Sequence, residues 1–289
     1  MKNNSLSTAF PAVNFHLWQP CNMRCKFCFA TFQDVKTILP KGHLTREDAV
    51  KVTLALCEAG FSKITFVGGE PTLCPWITEL ILVAKSYGLT TMMVTNGTRL
   101  NPEFLKKLRP ILDWLCLSID SLNETTNRQA GRMLANGKAY NEVDYRNLVE
   151  MVKQQGFRLK INTVVHSLNY TEVMADFIEW ADPLRWKVFQ VLPIEGQNNG
   201  RVEPLLISNE QYESFLQNHA HIRNKPVVET NNHMKGSYLM VDPSGRFFDN
   251  AEGIHNYSRP ILEVGVTEAT KQVNADYEKF VDRGGIFNW

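Results

Sequence analysis

The 289-residue chain lacks several features that define large classes of protein. It has no excess of one charge, because 31 Lys plus Arg residues oppose 30 Asp plus Glu residues, for a net charge of +1. That balance argues against a protein that coats nucleic acid or binds anionic membranes. No apolar run approaches the roughly 20 residues of a membrane span, and the first residues form no signal core. We therefore expect a cytoplasmic protein with no membrane or nucleic-acid partner.

Cysteine is scarce, and its placement excludes a secreted domain held together by disulfides. Three of the six cysteines lie within residues 21–28. A secreted protein of this size would spread its cysteines in pairs, whereas a tight group in a cytosolic chain indicates metal or cluster ligation. We predict that Cys57 and Cys116 are core residues and that Cys74 is a loop thiol.

The apolar pattern predicts six strands that alternate with helices. The strands cover residues 14–18, 64–67, 91–95, 114–119, 159–165 and 186–192. A strand followed by a helix, six times over, implies parallel strands joined by right-handed crossovers. Six units are too few for a closed eightfold barrel, and polar groups lie at the carboxyl ends of the strands, where such barrels place chemistry. We therefore predict an open, partial α/β barrel.

Capping residues and helical periodicity locate the helices. Thr45 is predicted to cap a helix that ends at Gly60. Further helices are expected at 75–88, 102–108, 143–155 and 170–180. After residue 192 the pattern changes to a helix at 209–217, a hairpin at 238–248 and a terminal helix. We predict a barrel of residues 1–192 with an α+β extension of residues 193–289 packed on it.

The motif Cys21-Asn-Met-Arg-Cys25-Lys-Phe-Cys28 directly follows the first predicted strand. A structural zinc site normally takes four protein ligands, and no fourth ligand lies nearby in the sequence. Three thiolates on one loop suit a [4Fe–4S] cluster better, with one iron left open for a reactant. Zinc stays as the alternative. Four histidines lack the spacing of metal ligands, and we expect them at the surface or as capping residues: His219, His221, His233 and His255.

Polar turns follow the next three predicted strands. Gly68-Gly-Glu-Pro71 ends the second strand, where glycines allow the backbone to approach a ligand closely. Glu70 can accept hydrogen bonds from an ammonium group. Asn96 and Ser118 end the third and fourth strands at the same mouth, where they could line a cofactor. Taken singly, such residues are more often ordinary turn or cap residues.

Basic residues share the inner face of two neighbouring predicted strands. Period-two alternation places Arg185 and Lys187 on one face of the sixth strand, and Lys160 lies on one face of the fifth. Burying a cation inside the barrel costs free energy unless an anion lies beside it. For any one lysine a carboxylate partner is as good an explanation as a ligand. Three such cations, with Arg132 in the preceding loop, favour a polyphosphate.

The cysteine motif resembles the signature of the radical S-adenosylmethionine (SAM) superfamily. The resemblance implies a [4Fe–4S] cluster whose open iron binds SAM, and reductive cleavage of SAM to a 5′-deoxyadenosyl radical that removes a substrate hydrogen. It implies metal ligands Cys21, Cys25 and Cys28. The cofactor site would comprise Phe27, Gly68, Gly69, Glu70, Asn96 and Ser118. A one-electron donor such as flavodoxin or ferredoxin is expected as a partner.

Longer stretches resemble the viperin family of that superfamily. They are Pro183-Leu-Arg-Trp-Lys-Val-Phe-Gln190, Ile194-Glu-Gly196, Met234-Lys-Gly-Ser-Tyr-Leu239 and Arg283-Gly-Gly285. The resemblance implies abstraction of the ribose C4′ hydrogen from a nucleoside triphosphate, which yields its 3′-deoxy-3′,4′-didehydro analogue, an antiviral chain terminator. CTP is the first candidate substrate, with UTP and GTP as alternatives. The substrate would lie against Asn14, Arg132, Lys160, Arg185 and Lys187.

Two other functions stay open at this stage. One is a different radical SAM enzyme, such as a peptide-modifying maturase, although many maturases carry further cysteine clusters and no cysteine follows Cys116. The other is a non-enzymatic iron–sulfur or zinc protein that acts by binding. Val67 and Phe287 depart from the viperin pattern, which has serine and tyrosine at these positions.

Overall fold

The computed structural model describes residues 10–289. The strands are β1 Ala12–Trp18, β2 Lys63–Gly68, β3 Thr90–Thr95, β4 Trp114–Ser118, β5 Arg158–Val165, β6 Arg185–Gln190, β7 Val227–Glu229, β8 Met240–Val241, β9 Arg246–Asp249 and β10 Asn256–Pro260. The α-helices are α1 Val35–Ile38, α2 Arg46–Glu58, α3 Ile77–Ser86, α4 Pro102–Leu108, α5 Glu124–Gln129, α6 Glu142–Gln154, α7 Ala175–Ala181, α8 Asn209–Asn218, α9 Asn231–Met234, α10 Ile261–Val264, α11 Val266–Thr270 and α12 Tyr277–Asp282.

These strands form one sheet in the order β10-β9-β8-β1-β2-β3-β4-β5-β6-β7. Strands β1 to β6 are parallel neighbours in sequence order, and helices fill the crossovers between them. The sheet is not closed, because β7 and β10 form its two edges. The predicted open, partial α/β barrel is therefore confirmed.

Alternation along each strand separates the hydrophobic core from the barrel interior. In β1, Val13, Phe15 and Leu17 are buried in the main core, whereas Asn14 and His16 line the interior. Successive side chains of a strand point to opposite faces, so polar groups can enter the barrel without disturbing the core.

Local capping explains where the helices begin. Thr45 caps α2 as predicted, because its side chain accepts a hydrogen bond from the Asp48 N–H at 3.2 Å. Helix α7 begins at Ala175 rather than at residue 170. The preceding residues instead form a turn in which the Asn169 side chain accepts a hydrogen bond from the His166 N–H at 2.7 Å. Such side-chain bonds compete with helix formation.

Residues 193–289 extend the sheet at both edges. Strand β7 pairs with β6, β8 pairs with β1, and β8 and β9 form the predicted hairpin. The boundary at residue 192 stays a prediction, since strands from both sides of it share the sheet. In residues 10–289, no helix has both the length and the apolar character needed to cross a membrane.

Candidate active site

A cavity of about 320 Å³ occupies the barrel interior, a size typical of small-molecule sites. The cysteine loop, residues 21–28, and the turn after β2 line the end at the carboxyl ends of the strands. Basic side chains line the other end. Every residue that the sequence assigned to the site lines this cavity except Arg185.

The cysteine loop is held in place by neighbouring backbone. The amide of Asn198 donates to the Phe27 carbonyl at 3.2 Å, and the N–H groups of Arg24 and Lys26 donate to the carbonyls of Gly131 and Ala130. Phe27 itself packs in a small apolar cluster that includes Ala130. These contacts fix the loop at the mouth of the barrel.

The three thiols of this loop fit a multinuclear cluster. Burial raises the pKa of Cys21 to about 11 and that of Cys25 to about 12, and it also raises the pKa of Cys28. Across residues 10–289, no group of three or more His, Cys, Asp or Glu side chains is placed to hold one metal ion. A [4Fe–4S] cube does not require such a group, because each cysteine binds a different iron.

Glu70 is buried beneath the mouth, 1% exposed. Its carboxylate accepts hydrogen bonds from the N–H and hydroxyl of Thr72, at 3.1 and 2.6 Å, from the Thr95 hydroxyl at 2.6 Å and from the Asn96 N–H at 2.8 Å. Burial raises the pKa of Glu70 against the opposing effect of these donors. The carboxylate thus holds the turn that carries Asn96, and a cation beside it would compensate its burial.

Gly69 approaches the end of β1 so closely that a side chain has no room. A Cβ atom there would overlap the backbone carbonyl oxygens of Gln19 and Pro20. We expect Gly69→Ala to lower the free energy of unfolding by about 1–3 kcal/mol, the usual cost of overpacking, and to abolish binding of S-adenosylhomocysteine. Thermal unfolding and calorimetric binding measure both effects.

Gly88→Ala is the matched control for this prediction. Nothing lies within 4 Å of a Cβ at Gly88, whose φ is +82°. That variant should lose stability through left-handed backbone strain but bind S-adenosylhomocysteine normally. Equal loss of binding in both variants would contradict the steric argument.

Arg132 lies at the cysteine loop, so its sequence-based grouping with the inward strand cations is corrected. Its Nη1 is 3.1 Å from Asp120 Oδ2 and 3.9 Å from Cys25 Sγ, and its Nη2 donates to the Ser118 carbonyl. The physical reason is that residues 130–131 accept the backbone hydrogen bonds of the cysteine loop. Arg132 is therefore held beside the cysteine loop, where it forms a buried ion pair with Asp120.

Five cations gather toward the amino ends of the strands. Lys160 on β5 lies beside Arg185 on β6 in the strand register, and Asn162 lies beside Lys187. Sequence analysis missed two members: Lys63, the first residue of β2, and Arg283, which follows α12. We call the following five residues the cation cluster: Lys63, Lys160, Arg185, Lys187 and Arg283.

Glu229 of β7 partly neutralises the cation cluster. Its carboxylate pairs with Lys187 and with Arg283 at 3.3 Å and accepts a hydrogen bond from the Tyr238 hydroxyl. Despite burial, which opposes ionisation, Lys187 and Arg283 lower the pKa of Glu229. Among residues 10–289, no carboxylate forms an ion pair with the other three cations. The cluster thus keeps a net positive charge that a polyanion would compensate.

The C-terminal segment, residues 284–289, covers the cation cluster from the amino ends of the strands. The Phe287 ring centroid lies 4.1 Å from the Arg185 guanidinium carbon and 4.5 Å from Lys63 Nζ. Trp289 lies 4.9 Å from the same nitrogen. These cation–π contacts replace part of the lost hydration. They also explain why Arg185 lies on the inner face without lining the cavity.

We expect Lys63 and Lys160 to contribute stability to the ligand-free chain that grows as the pH rises from about 7 to about 10. The buried cysteines, whose pKa values are raised, contribute in the opposite direction. Burial, reinforced by nearby cations, lowers the pKa of Lys63 and Lys160 in the folded chain. At these two positions the unfolded chain, whose lysines titrate near about 10.4, binds more protons in this window, so the two lysines make the free energy of unfolding increase with pH.

Inorganic triphosphate should reduce the contribution of the two lysines, because a bound polyanion favours their protonated form. Denaturant titrations across the window, with and without triphosphate, provide the measurement. A pH slope of the free energy of unfolding that is the same in wild type and in Lys160→Met would contradict this contribution.

Asn14 and Asn162 line the cavity between its two ends. Asn162 lies beside Ser118 of β4 and Lys187 of β6 in the strand register. Its Oδ1 atom is buried and accepts no hydrogen bond within residues 10–289. A buried amide oxygen without a donor is costly, and a ligand hydroxyl at this point would supply one.

Several sequence expectations outside the cavity need correction. His219 is the C-cap residue of α8, as one of the two expectations had it, but it is fully buried rather than at the surface, and its Nε2 accepts the Met174 N–H at 2.8 Å. His255 is half-buried against Phe248, with ring centroids 4.8 Å apart. Cys74 lies in a loop as predicted, and its side chain is buried in the main core. The predicted burial of Cys57 and Cys116 is confirmed.

The missed residues differ in what the sequence could have shown. The alternation that places Thr65 and Val67 inside the barrel also places Lys63 there, so extending the predicted strand by one residue would have found it. Arg283 lies in a stretch that resembles viperin but was given no role, and Glu229 carries no local signal. Both belong to the extension, where Arg283 lines the cavity and Glu229 contacts the cation cluster.

Comparison with known proteins supports this geometry. Residues 18–181 match the family described as the Radical SAM superfamily. The S-adenosylmethionine-dependent nucleotide dehydratases of Lacinutrix mariniflava and Flammeovirga pacifica are each 53% identical to this chain. The alignments cover 100% and 96% of this chain, but 60% of the Lacinutrix protein and 96% of the Flammeovirga protein. The relative RSAD2 of Danio rerio is 36% identical over 96% of this chain and 78% of its own length.

Solved structures share the fold at low identity. SuiB of Streptococcus suis bound to S-adenosylmethionine has a TM-score of 0.62 at 15% identity, covering 83% of this chain and 60% of that one. The protein anSMEcpe with bound AdoMet and a peptide has a TM-score of 0.70 at 15% identity, covering 94% and 82%. From its matched residues, its relatives and its fold, the chain belongs to the radical SAM superfamily and, within it, to the viperin-like family.

Proposed function

We propose that this chain is a radical SAM enzyme that converts a nucleoside triphosphate to its 3′-deoxy-3′,4′-didehydro analogue. CTP is the first candidate, with UTP and GTP as alternatives. One observation carries the proposal: a single cavity has the three-cysteine loop at one end and, at the other, the cation cluster, four of whose five members line it. Relatives named as nucleotide dehydratases at 53% identity support it.

The cysteine end suits the cofactors that the family uses, a [4Fe–4S] cluster and SAM. Cys21, Cys25 and Cys28 would hold three irons, which leaves one for the amino and carboxylate groups of SAM. The buried carboxylate of Glu70 favours the methionyl ammonium. The close approach of Gly68 and Gly69 to the backbone of residues 18–20 fixes the turn that carries this carboxylate. The remaining lining at this end is Phe27, Asn96 and Ser118.

The opposite end suits a triphosphate. Lys63, Lys160, Arg185, Lys187 and Arg283 would share its negative charge. Guanidinium forks match phosphate oxygens in geometry, and lysines act as point charges. The amides of Asn14 and Asn162 lie between the two ends, at the level that a ribose would occupy. A peptide substrate would leave the cation cluster uncompensated, so the charge favours a nucleotide over the maturase alternative.

This arrangement lets the protein orient the reacting sugar. When bound, the cluster and SAM supply a 5′-deoxyadenosyl radical that abstracts a hydrogen atom. The chain has to hold the ribose C4′ hydrogen at near-attack distance, which can supply a large part of the rate. The cation cluster anchors one end of the substrate, and the C-terminal segment closes that end to water. The 3′-hydroxyl would then leave as water by taking up one proton, and one electron from the electron donor would complete the 3′,4′ double bond.

A substrate panel tests the proposal. The anaerobically reconstituted protein is incubated with SAM, a reductant and each of CTP, UTP and GTP. We expect one triphosphate to raise 5′-deoxyadenosine formation and to yield a product lighter by one water. If no triphosphate raises it above background, the substrate assignment is wrong. The iron-to-zinc ratio of the same preparation tests the zinc alternative.

Arg132 is better placed for the carboxylate of SAM than for the triphosphate, because it lies 3.9 Å from Cys25 Sγ. We expect Arg132→Lys to raise the KM for SAM by about tenfold, since a bidentate fork becomes a point charge, and to leave the KM for the nucleotide nearly unchanged. Steady-state kinetics with each substrate varied in turn provide the measurement. A change confined to the KM for the nucleotide would indicate instead that Arg132 binds the triphosphate.

A further inference from the structure

A second opening lies on the outer side of the cysteine loop. It has a volume of about 360 Å³, and Cys21, Cys25 and Cys28 line it as well as the substrate cavity. The cysteine loop therefore separates the nucleotide cavity from this outer opening. Four basic residues and no carboxylate line the opening within residues 10–289. We call these four residues the basic rim: Arg24, Lys36, Lys41 and Arg201.

The basic rim is not neutralised by the chain. None of its four residues forms an ion pair in the part of the chain that the structure describes. Lys36 and Lys41 are exposed, and the Arg201 guanidinium donates to the Gln197 carbonyl at 3.0 Å. Asp34, two residues before Lys36, accepts a hydrogen bond from Tyr257 and pairs with Arg246. Glu203, two residues after Arg201, accepts a hydrogen bond from the Gly200 N–H. Since the whole chain has a net charge of only +1, this local excess is a property of the folded surface.

Charge also reaches the cysteines from this side. The Arg24 guanidinium donates to the backbone carbonyls of Cys21 and Met23. The charge of Arg201 favours the thiolate of Cys28, although burial raises the pKa of that thiol overall. The rim is thus built against the residues that would hold the cluster.

We propose that the basic rim is the docking surface for an acidic one-electron carrier protein, an inference that rests on the proposed function. One electron would leave the reduced carrier, which is oxidised, and enter the cluster, which is reduced, with no bond broken. Positive potential around the entry point would steer an acidic partner and raise its association rate. The partner would approach from the side opposite the nucleotide, so it could dock while substrate is bound.

Single-stranded nucleic acid fits this surface less well. Proteins that bind it combine a basic groove with aromatic side chains on which bases stack. The outer opening has no Phe, Tyr or Trp among its lining residues in the described chain. The opening therefore has the positive charge that docking of an acidic protein requires, without the aromatic side chains that would stack on bases.

The test uses the cluster-loaded enzyme and a reduced flavodoxin as the probe. In the double variant Lys36→Glu with Lys41→Glu, we expect the second-order rate of cluster reduction, followed by absorbance in stopped flow, to fall at least about tenfold, within the range of electrostatic steering. The wild-type rate should fall steeply with ionic strength. The control, Lys106→Glu with Lys225→Glu, makes the same charge change at exposed residues that line neither cavity.

The outcomes separate this inference from the proposed function. Wild-type reduction rates in the rim variant, or equal slowing in the control, would overturn the docking surface. Binding of labelled single-stranded RNA that is lost in the rim variant, with unchanged flavodoxin kinetics, would overturn it in favour of nucleic acid. Dithionite-driven 5′-deoxyadenosine formation should be normal in both variants. If flavodoxin kinetics behave as expected but no nucleotide is turned over with dithionite, the proposed function fails and the docking surface stands.

Discussion

Replacing Cys25 with alanine is expected to reduce 5′-deoxyadenosine formation to background, a loss of more than about 100-fold. Changing even an outer-shell partner of a metal ligand costs roughly 10–100-fold in affinity or activity, and Cys25 would be a ligand itself. The iron and sulfide content per chain should fall together with the activity. Because burial raises the pKa of Cys25 to about 12, its thiol is neutral near pH 7. The replacement therefore removes no charge, and the cluster-free variant should unfold at a temperature close to that of the cluster-free wild type.

Cys74→Ala is the matched control for this experiment. Cys74 is also buried, but in the main core away from the cysteine loop. That variant should lose some stability through the cavity it leaves and keep its iron, sulfide and activity. Full iron content and activity in Cys25→Ala would show that the cysteine loop is not the cluster site.

Replacing Lys160 with methionine is expected to move nucleotide binding and stability in opposite directions. Lys160 is 8% exposed and forms no ion pair within residues 10–289. A hydrogen bond to a charged group contributes about 1.5–3 kcal/mol, so affinity for CTP should fall roughly 10–150-fold. The ligand-free variant should be more stable by about 1–3 kcal/mol, because an unpaired buried polar group is removed.

Lys106→Met separates this effect from a general change of charge. Lys106 is exposed on α4, and its replacement should alter neither CTP affinity nor the melting temperature. Calorimetric titration with CTP and thermal unfolding of the ligand-free proteins measure both quantities. A Lys160→Met variant that binds CTP normally, or that is less stable than wild type without ligand, would contradict the role assigned to the cation cluster.

Together these two experiments test the two ends of the cavity independently. The cysteine variant should leave CTP binding to the cluster-free chain nearly unchanged, since Cys25 and the cation cluster lie at opposite ends. The lysine variant should keep its cluster. Coupled loss of both properties in either variant would indicate a folding defect.

The sequence by itself determined the open barrel, because strand and helix periodicity are local properties of the chain. It also determined the three-cysteine loop, the Gly-Gly-Glu turn and the inward direction of Lys160 and Lys187. Each of these follows from spacing within a few residues. The resemblance to viperin followed from longer stretches of the same local kind.

Only the tertiary structure decided which charges meet. Lys63 and Arg283 are 220 positions apart in sequence and join the same cluster, and Glu229 partly neutralises that cluster. Arg132 lies at the other end because its loop is hydrogen-bonded to the cysteine loop. Spacing along a strand gives the direction of a side chain, but not which distant charge it faces. That depends on how the extension pairs with both edges of the sheet, since long-range packing brings these charges together.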